Sequence, residues 1–148
     1  MVLSYGETMV PSEHLSKTHR ITSFIGSVVL GFGLLVAMWL QPDGRGHGTH
    51  QQLGLPPCTF KFLLRIPCPA CGMTTSWALA VRGDWKSAIQ ANSGGFLLFL
   101  ITTVSMPVLL ATSIRGRLPW SGLRFLGPIL LTSALLLALI QWTFRITL

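Results

Sequence analysis

Acidic residues are scarce in this chain: four Asp and Glu stand against eleven Lys and Arg in 148 residues, for a net charge of +7. Charged residues of both signs make up only 10% of it, where a soluble domain carries about 25%. No paired carboxylates, phosphate-binding loop or dinucleotide fingerprint occurs, and no histidine follows His50 to serve Thr74, Thr75 or Ser76 as a base. A hydrolase or kinase therefore has no support, and the reading leans away from an enzyme. The basic residues are scattered rather than clustered with exposed aromatics, which argues against nucleic acid as a partner. Cysteine is rarer still, with three in the chain, Cys58, Cys68 and Cys71.

What the chain has in quantity is apolar sequence gathered into blocks. Residues 21–40 contain no charge, and a run of about twenty apolar residues spans the hydrocarbon core of a bilayer as a helix. Further blocks lie at 94–112 and 125–142. The expected fold class is an all-α integral membrane protein with about three transmembrane helices. Residues 1–20 read as a mobile tail and 41–93 as a Cys-containing region of loop and short helices. A cleaved secretory signal competes for the first block, but Met38-Trp39-Leu40-Gln41-Pro42 offers no small-x-small cleavage site.

Lys17 and Arg20 before the first span fall on the same side as Arg115, Arg117 and Arg124 between the second and third. Arg45, Lys61, Arg65, Arg82, Lys86 and Arg145 fall on the other. The basic residues closest to helix ends favour a cytoplasmic N-terminus, which would make the cysteines extracytoplasmic. Ser23, Ser27 and Gly31 recur every four residues, which either lets another helix approach closely or reflects a helix rich in small residues. Pro107 and Pro128 inside the later spans remove backbone donors and favour kinks.

Residues 41–54 are turn-rich and predict no helix. Pro69 at a first helical position predicts a helix from Pro69 to about Val81, with Cys68 at the N-cap and Cys71 in the first turn. Asp84 reads as the N-cap of a second short helix, 85–91, lying in the membrane interface with Trp85 at headgroup depth. Asn92-Ser93-Gly94 is the hinge into the second span.

Thiols in the first turn of a helix feel its dipole, which lowers their pKa. Three chemistries fit: a Cys68–Cys71 pair exchanging electrons, thiolate ligands for a metal, or a structural disulfide involving Cys58. Inert packing is the bland fourth. Covalent haem attachment needs Cys-x-x-Cys-His, and position 72 is glycine. A metal such as zinc would need ligands beyond the pair, and Cys58 with His50 or His47 could complete a Cys₃His set.

The run Cys58, then Pro67-Cys68-Pro69-Ala70-Cys71-Gly72-Met73-Thr74-Thr75, then Gly83-Asp84-Trp85, Ala88 and Asn92 resembles the bacterial membrane-protein family known as domain of unknown function 2752. The resemblance covers roughly Cys58 to Phe99. Residues 48–57 are similar to an extension in one subgroup, which favours His50 over His47 as a site residue. Many members carry an arginine where Thr75 stands here. The resemblance implies a membrane location and marks Pro69, Gly72, Thr74, Gly83, Asp84 and Asn92 as parts of one motif, but it implies no reaction.

The reading drawn from all this is a non-enzymatic component of the bacterial inner membrane whose cysteine motif forms a structural disulfide or binds a metal. The alternatives are a membrane thiol-disulfide oxidoreductase using Cys68 and Cys71, and an accessory subunit of a transport or secretion complex. The expected partners are the lipid bilayer and a membrane protein or a second copy of the chain.

Overall fold

The computed structural model describes residues 15–66, 68–117 and 123–147, which form helices and connections with no strand. Most of the expected N-terminal tail, up to His14, and Pro67 of the motif lie outside these residues. The elements are α1 (Lys17–Trp39), a 3₁₀ turn (Thr49–Leu53), α2 (Thr59–Leu64), α3 (Met73–Ala80), α4 (Trp85–Ala91), α5 (Ser93–Arg115) and α6 (Leu123–Thr147). Three of the helices, α1, α5 and α6, are long and apolar enough to cross a membrane. The all-α membrane fold expected from the apolar blocks is therefore the one found.

The long helices continue past their apolar blocks because their ends find partners. Ser16 Oγ accepts from His19 N at 3.4 Å, so α1 starts at Lys17 rather than at the first apolar residue, and residues 17–20 belong to the helix instead of the tail. Arg20 then reaches the far end of α5, donating from Nε to Ser113 O at 2.9 Å and from Nη2 to Ile114 O at 3.3 Å. Those carbonyls lie in the last turn of α5, where helical partners run out.

Helix α5 is the centre of the bundle, antiparallel to α1 on one side and to α6 on the other. The α1 contact uses the small-residue stripe. Ser27 is buried and donates to Met106 O at 3.1 Å, and a Cβ on Gly31 would stand 3.4 Å from Met106. The stripe therefore admits a helix of the same chain. The α6 contact is tighter. A Cβ on Gly94 would collide with Ala134 O and lie 2.7 Å from Ala138 Cβ, while Ala134 and Ala138 are themselves buried. Between apolar helices in lipid no hydrophobic gain is available, so close backbone approach of this kind is what holds them. Gln141 adds polar links, accepting from Ser93 N at 2.6 Å and Ser93 Oγ at 3.0 Å and donating to Ile89 O and Gln90 O at 3.2 Å each. The faces turned away from the bundle carry exposed Phe24, Val28, Phe32 and Leu35 on α1 and Leu135, Leu136 and Ile140 on α6, a surface suited to lipid tails.

Two connecting segments depart from expectation. Residues 41–54 hold the 3₁₀ turn Thr49–Leu53 where no helix was expected. It is bounded by Gly48 (φ 100°) and Gly54 (φ 76°), whose left-handed backbones permit one short turn and stop it. Helix α2 was not foreseen, since six residues are too few to show a periodicity. It ends at Arg65, which adopts a left-handed φ of 57°.

Replacing Gly94 with leucine is expected to force α5 and α6 apart and to cost about 1–3 kcal/mol. The loss would be read as a lowered thermal midpoint in detergent, and a Gly94→Leu protein melting with the wild type would refute the contact.

Candidate functional site

The cysteine segment is not the first turn of a helix. Cys71 N donates to Cys68 O at 3.0 Å and Met73 N to Ala70 O at 3.1 Å, forming two successive turns, and α3 begins only at Met73. The N-cap is Gly72, not Cys68, and its φ of 87° breaks the helical path that Pro69 favoured. Glycine is required here on two counts. The backbone is left-handed, and a Cβ would collide with Ala91 O and stand 2.7 Å from Gly46 O.

Helix α3 is short and deeply packed. Thr75, Ser76 and Ala78 are fully buried, and Trp77 packs edge-on against Phe99 with ring centroids 6.1 Å apart. Its polar groups point at the start of α5: Ser76 Oγ donates to Asn92 O at 3.1 Å and Trp77 Nε1 to Gly95 O at 2.9 Å. Helix α4 behaves as its sequence suggests. Asp84 Oδ1 accepts from Ser87 N at 3.1 Å, and these Ser87 hydrogen bonds hold the carboxyl below its usual range. Gly83 precedes it with a φ of 81°, Ala88 and Ala91 face inward, and Trp85 and Ile89 are exposed.

Asn92 is the residue on which these pieces converge. Only 1% exposed, it caps α5 by accepting from Gly95 N through Oδ1 at 2.7 Å, and its Nδ2 donates to Pro69 O at 3.0 Å and to Cys71 O at 3.2 Å. One carboxamide thus joins the cysteine turn to the first turn of a membrane-spanning helix. Arg145, near the end of α6, supports the same region by donating from Nη2 to Gln90 O and Ala91 O, each at 2.6 Å, and from Nη1 to Cys71 O at 3.5 Å. Arg82, just past α3, does similar work for α1, reaching Ala37 O at 3.5 Å, Met38 O at 3.1 Å and Ala78 O of α3 at 2.6 Å.

The three sulfurs come together on this frame. Cys58 stands at the N-cap of α2, Cys68 and Cys71 in the turn before α3, and their Sγ atoms all lie within 4.8 Å of one another. Cys68 Sγ donates to Cys71 Sγ at 3.3 Å, and no disulfide links any of the three. Three sulfurs so placed can hold a metal ion. Among the described residues this ligand group includes no histidine. His50 lies instead on the wall of a cavity of about 650 Å³ that opens onto the sulfurs, with His47, Met73 and Thr74 also lining it.

The expected lowering of the thiol pKa is overturned at Cys71. With the thiol outside a helical first turn, burial dominates and, helped by the Cys68 thiol, pushes Cys71 up to about 12. At neutral pH it is a protonated, poorly nucleophilic thiol that would release its proton to solvent on binding a cation, since a coordinating thiol is deprotonated by the ion's charge. In the connecting loop, the Arg45 guanidinium, 2.7 Å from Asp43, holds that carboxyl well below the usual carboxylate range.

Sequence reasoning missed the bond between residues 41–54 and α3. Thr49 and Thr75 are both fully buried, with their hydroxyls 2.8 Å apart, and Thr49 Oγ1 also accepts from Asp43 N at 3.0 Å. Neither threonine offered a signal of its own, because the two partners lie 26 residues apart.

Asn92→Ala should remove the α5 cap and leave two buried carbonyls short of a donor, a loss of about 2 kcal/mol visible in the thermal midpoint. Asn92→Asp keeps the cap acceptor but not the donor. It should preserve helicity while raising the alkylation rate of Cys71, and an unchanged rate would remove Asn92 from its proposed hold on the turn.

No curated protein and no solved structure matches the chain. Residues 58–106, from the first cysteine through α2, α3, α4 and much of α5, match the family model described as "Protein of unknown function (DUF2752)", so the resemblance carried by the cysteine motif holds over the segment that builds the site.

Proposed function

We propose that this protein is a non-enzymatic membrane component that carries a metal–thiolate centre, with Cys58, Cys68 and Cys71 as ligands and His50 at the adjoining cavity wall. The observation behind this reading is the mutual approach of three sulfurs within 4.8 Å, drawn from two separate segments. A purely packing role would not call for three thiols from two elements to converge beside a cavity. Gly72, Asn92 and Arg145 serve to hold the turn that presents them, and Pro69 supplies one of the carbonyls by which it is held.

The centre lies at the end of the bundle opposite Arg20 and Arg115. With those residues and Lys17 beside the span ends, we assign the N-terminus to the cytoplasm and the cysteines to the extracytoplasmic face of a bacterial inner membrane. A second reading rests on the 3.3 Å contact between Cys68 and Cys71, which suits a pair that closes and opens as a disulfide. The raised pKa of Cys71 weighs against it as the attacking thiol. A role as a docking subunit has less support, because the small-residue stripe of α1 already packs against α5.

Elemental analysis of detergent-purified protein should find about one zinc- or copper-class ion per chain, and Cys71→Ser should abolish it while helicity persists. A membrane-impermeant maleimide on intact cells reports the side: labelling after metal chelation, with no need of a reductant, is expected. Metal-free protein that is labelled only after reduction would transfer the assignment to the disulfide pair.

A further inference from the structure

The number and kind of donors at the three-cysteine site say which ion it suits. Zinc in structural sites takes four protein ligands, and in catalytic sites three with an open position, mostly in nitrogen- and oxygen-containing sets. Here the ligand atoms within mutual reach are three sulfurs, with no imidazole or carboxylate among the described residues. The cavity beside them is walled by the Met73 thioether, the His47 and His50 imidazoles and Gln51, and among the described residues no Asp or Glu lines it. Hard, oxygen-seeking cations such as magnesium and calcium find nothing there to bind. Thiolate and thioether donors suit copper(I), zinc and iron–sulfur clusters; three sulfurs fall one ligand short of a structural zinc shell and so favour copper(I).

Resting on the metal-centre reading, we propose that the site takes a soft monovalent ion, copper(I), in a three-thiolate shell in preference to zinc, and that the cavity lets the ion exchange. With metal–sulfur bonds of about 2.3 Å, a planar three-sulfur shell has edges of about 4 Å. The Cys68–Cys71 separation of 3.3 Å would open by less than the width of an atom, and every other sulfur pair already lies within 4.8 Å. Each thiol releases its proton to solvent as its sulfur bonds the ion, and no electron changes hands.

The product, a monovalent cation with three thiolates, carries a net charge of −2, one unit more negative than the zinc complex. The surroundings suit it. The Arg145 guanidinium donates to the Cys71 carbonyl, whereas Arg45 on the cavity wall is already paired with Asp43. Access is direct, since the cavity of about 650 Å³ is lined by all three cysteines, so a thiol-bearing donor or acceptor can reach the ion from outside. A closed structural site would lack such an approach.

The test is an anaerobic titration of reduced, detergent-purified full-length protein with copper(I) and with zinc against a chromophoric chelator, followed by X-ray absorption of the loaded protein. One copper(I) per chain with three sulfurs and no nitrogen in the shell is expected, together with displacement of bound zinc by equimolar copper(I). His50→Ala should leave copper affinity unchanged, and Cys58→Ser and Cys68→Ser should each lose stoichiometric binding. Zinc held against copper(I) in a mixed sulfur–nitrogen shell that fails in His50→Ala would overturn the copper assignment while leaving a metal centre in place. Binding of neither ion by folded protein would overturn both. Equal copper uptake by the triple Cys→Ser protein would show an adventitious site. The absorption measurement on wild-type protein decides the shell even where a cysteine variant fails to fold.

Discussion

The buried carboxamide of Asn92 is the interaction on which the rest of this structure depends. It occupies the junction of α4 and α5, where the chain stops lying along the bundle end and turns to cross the bilayer. There it satisfies the first turn of α5 with its oxygen and the cysteine turn with its nitrogen. Without a donor at that point the Pro69 and Cys71 carbonyls would face a packed interior. The orientation of the sulfurs is set by the peptide groups whose carbonyls Asn92 holds, so the site's geometry rests on a helix cap.

Around this junction the same economy recurs. Ser76 and Trp77 of α3 bond to backbone carbonyls at Asn92 and Gly95, and Gln141 and Arg145 of α6 bond to backbone groups of α4 and α5. Side chains that would be costly in an apolar setting are each matched to a peptide group at or near a helix end. The close approaches at Gly72 and Gly94 allow it, because only with no side chain in the way can these ends come near enough to share partners. Polar bonding and small-residue packing are two sides of one arrangement.

Much of this was legible in the sequence where the signal is local. Three apolar blocks gave three long helices, Asp84 gave the cap of α4, and the cysteine motif pointed to the family that its segment matches. What was not legible depended on contacts distant in sequence. The helix expected from Pro69 fails because Gly72 must pass between the carbonyls of Gly46 and Ala91, and nothing within a few residues of Gly72 announces them. The expected acidity of the Cys71 thiol fails for the same reason: burial raises its pKa. His50 was a candidate ligand from its spacing and from the resemblance of residues 48–57, and folding leaves it on the cavity wall rather than among the sulfurs.

Three arginines tie the ends of separate helices together. Arg20, Arg82 and Arg145 each reach the C-terminal carbonyls of a helix elsewhere in the chain, on α5, α1 and α4 respectively. Such carbonyls have no partner within their own helix, and here a guanidinium supplies one. Room for an aqueous ligand is left at the cavities beside residues 41–54 and the cysteine turn. An aqueous ligand approaching this end of the protein meets the sulfurs at the place where the fold has left room for solvent.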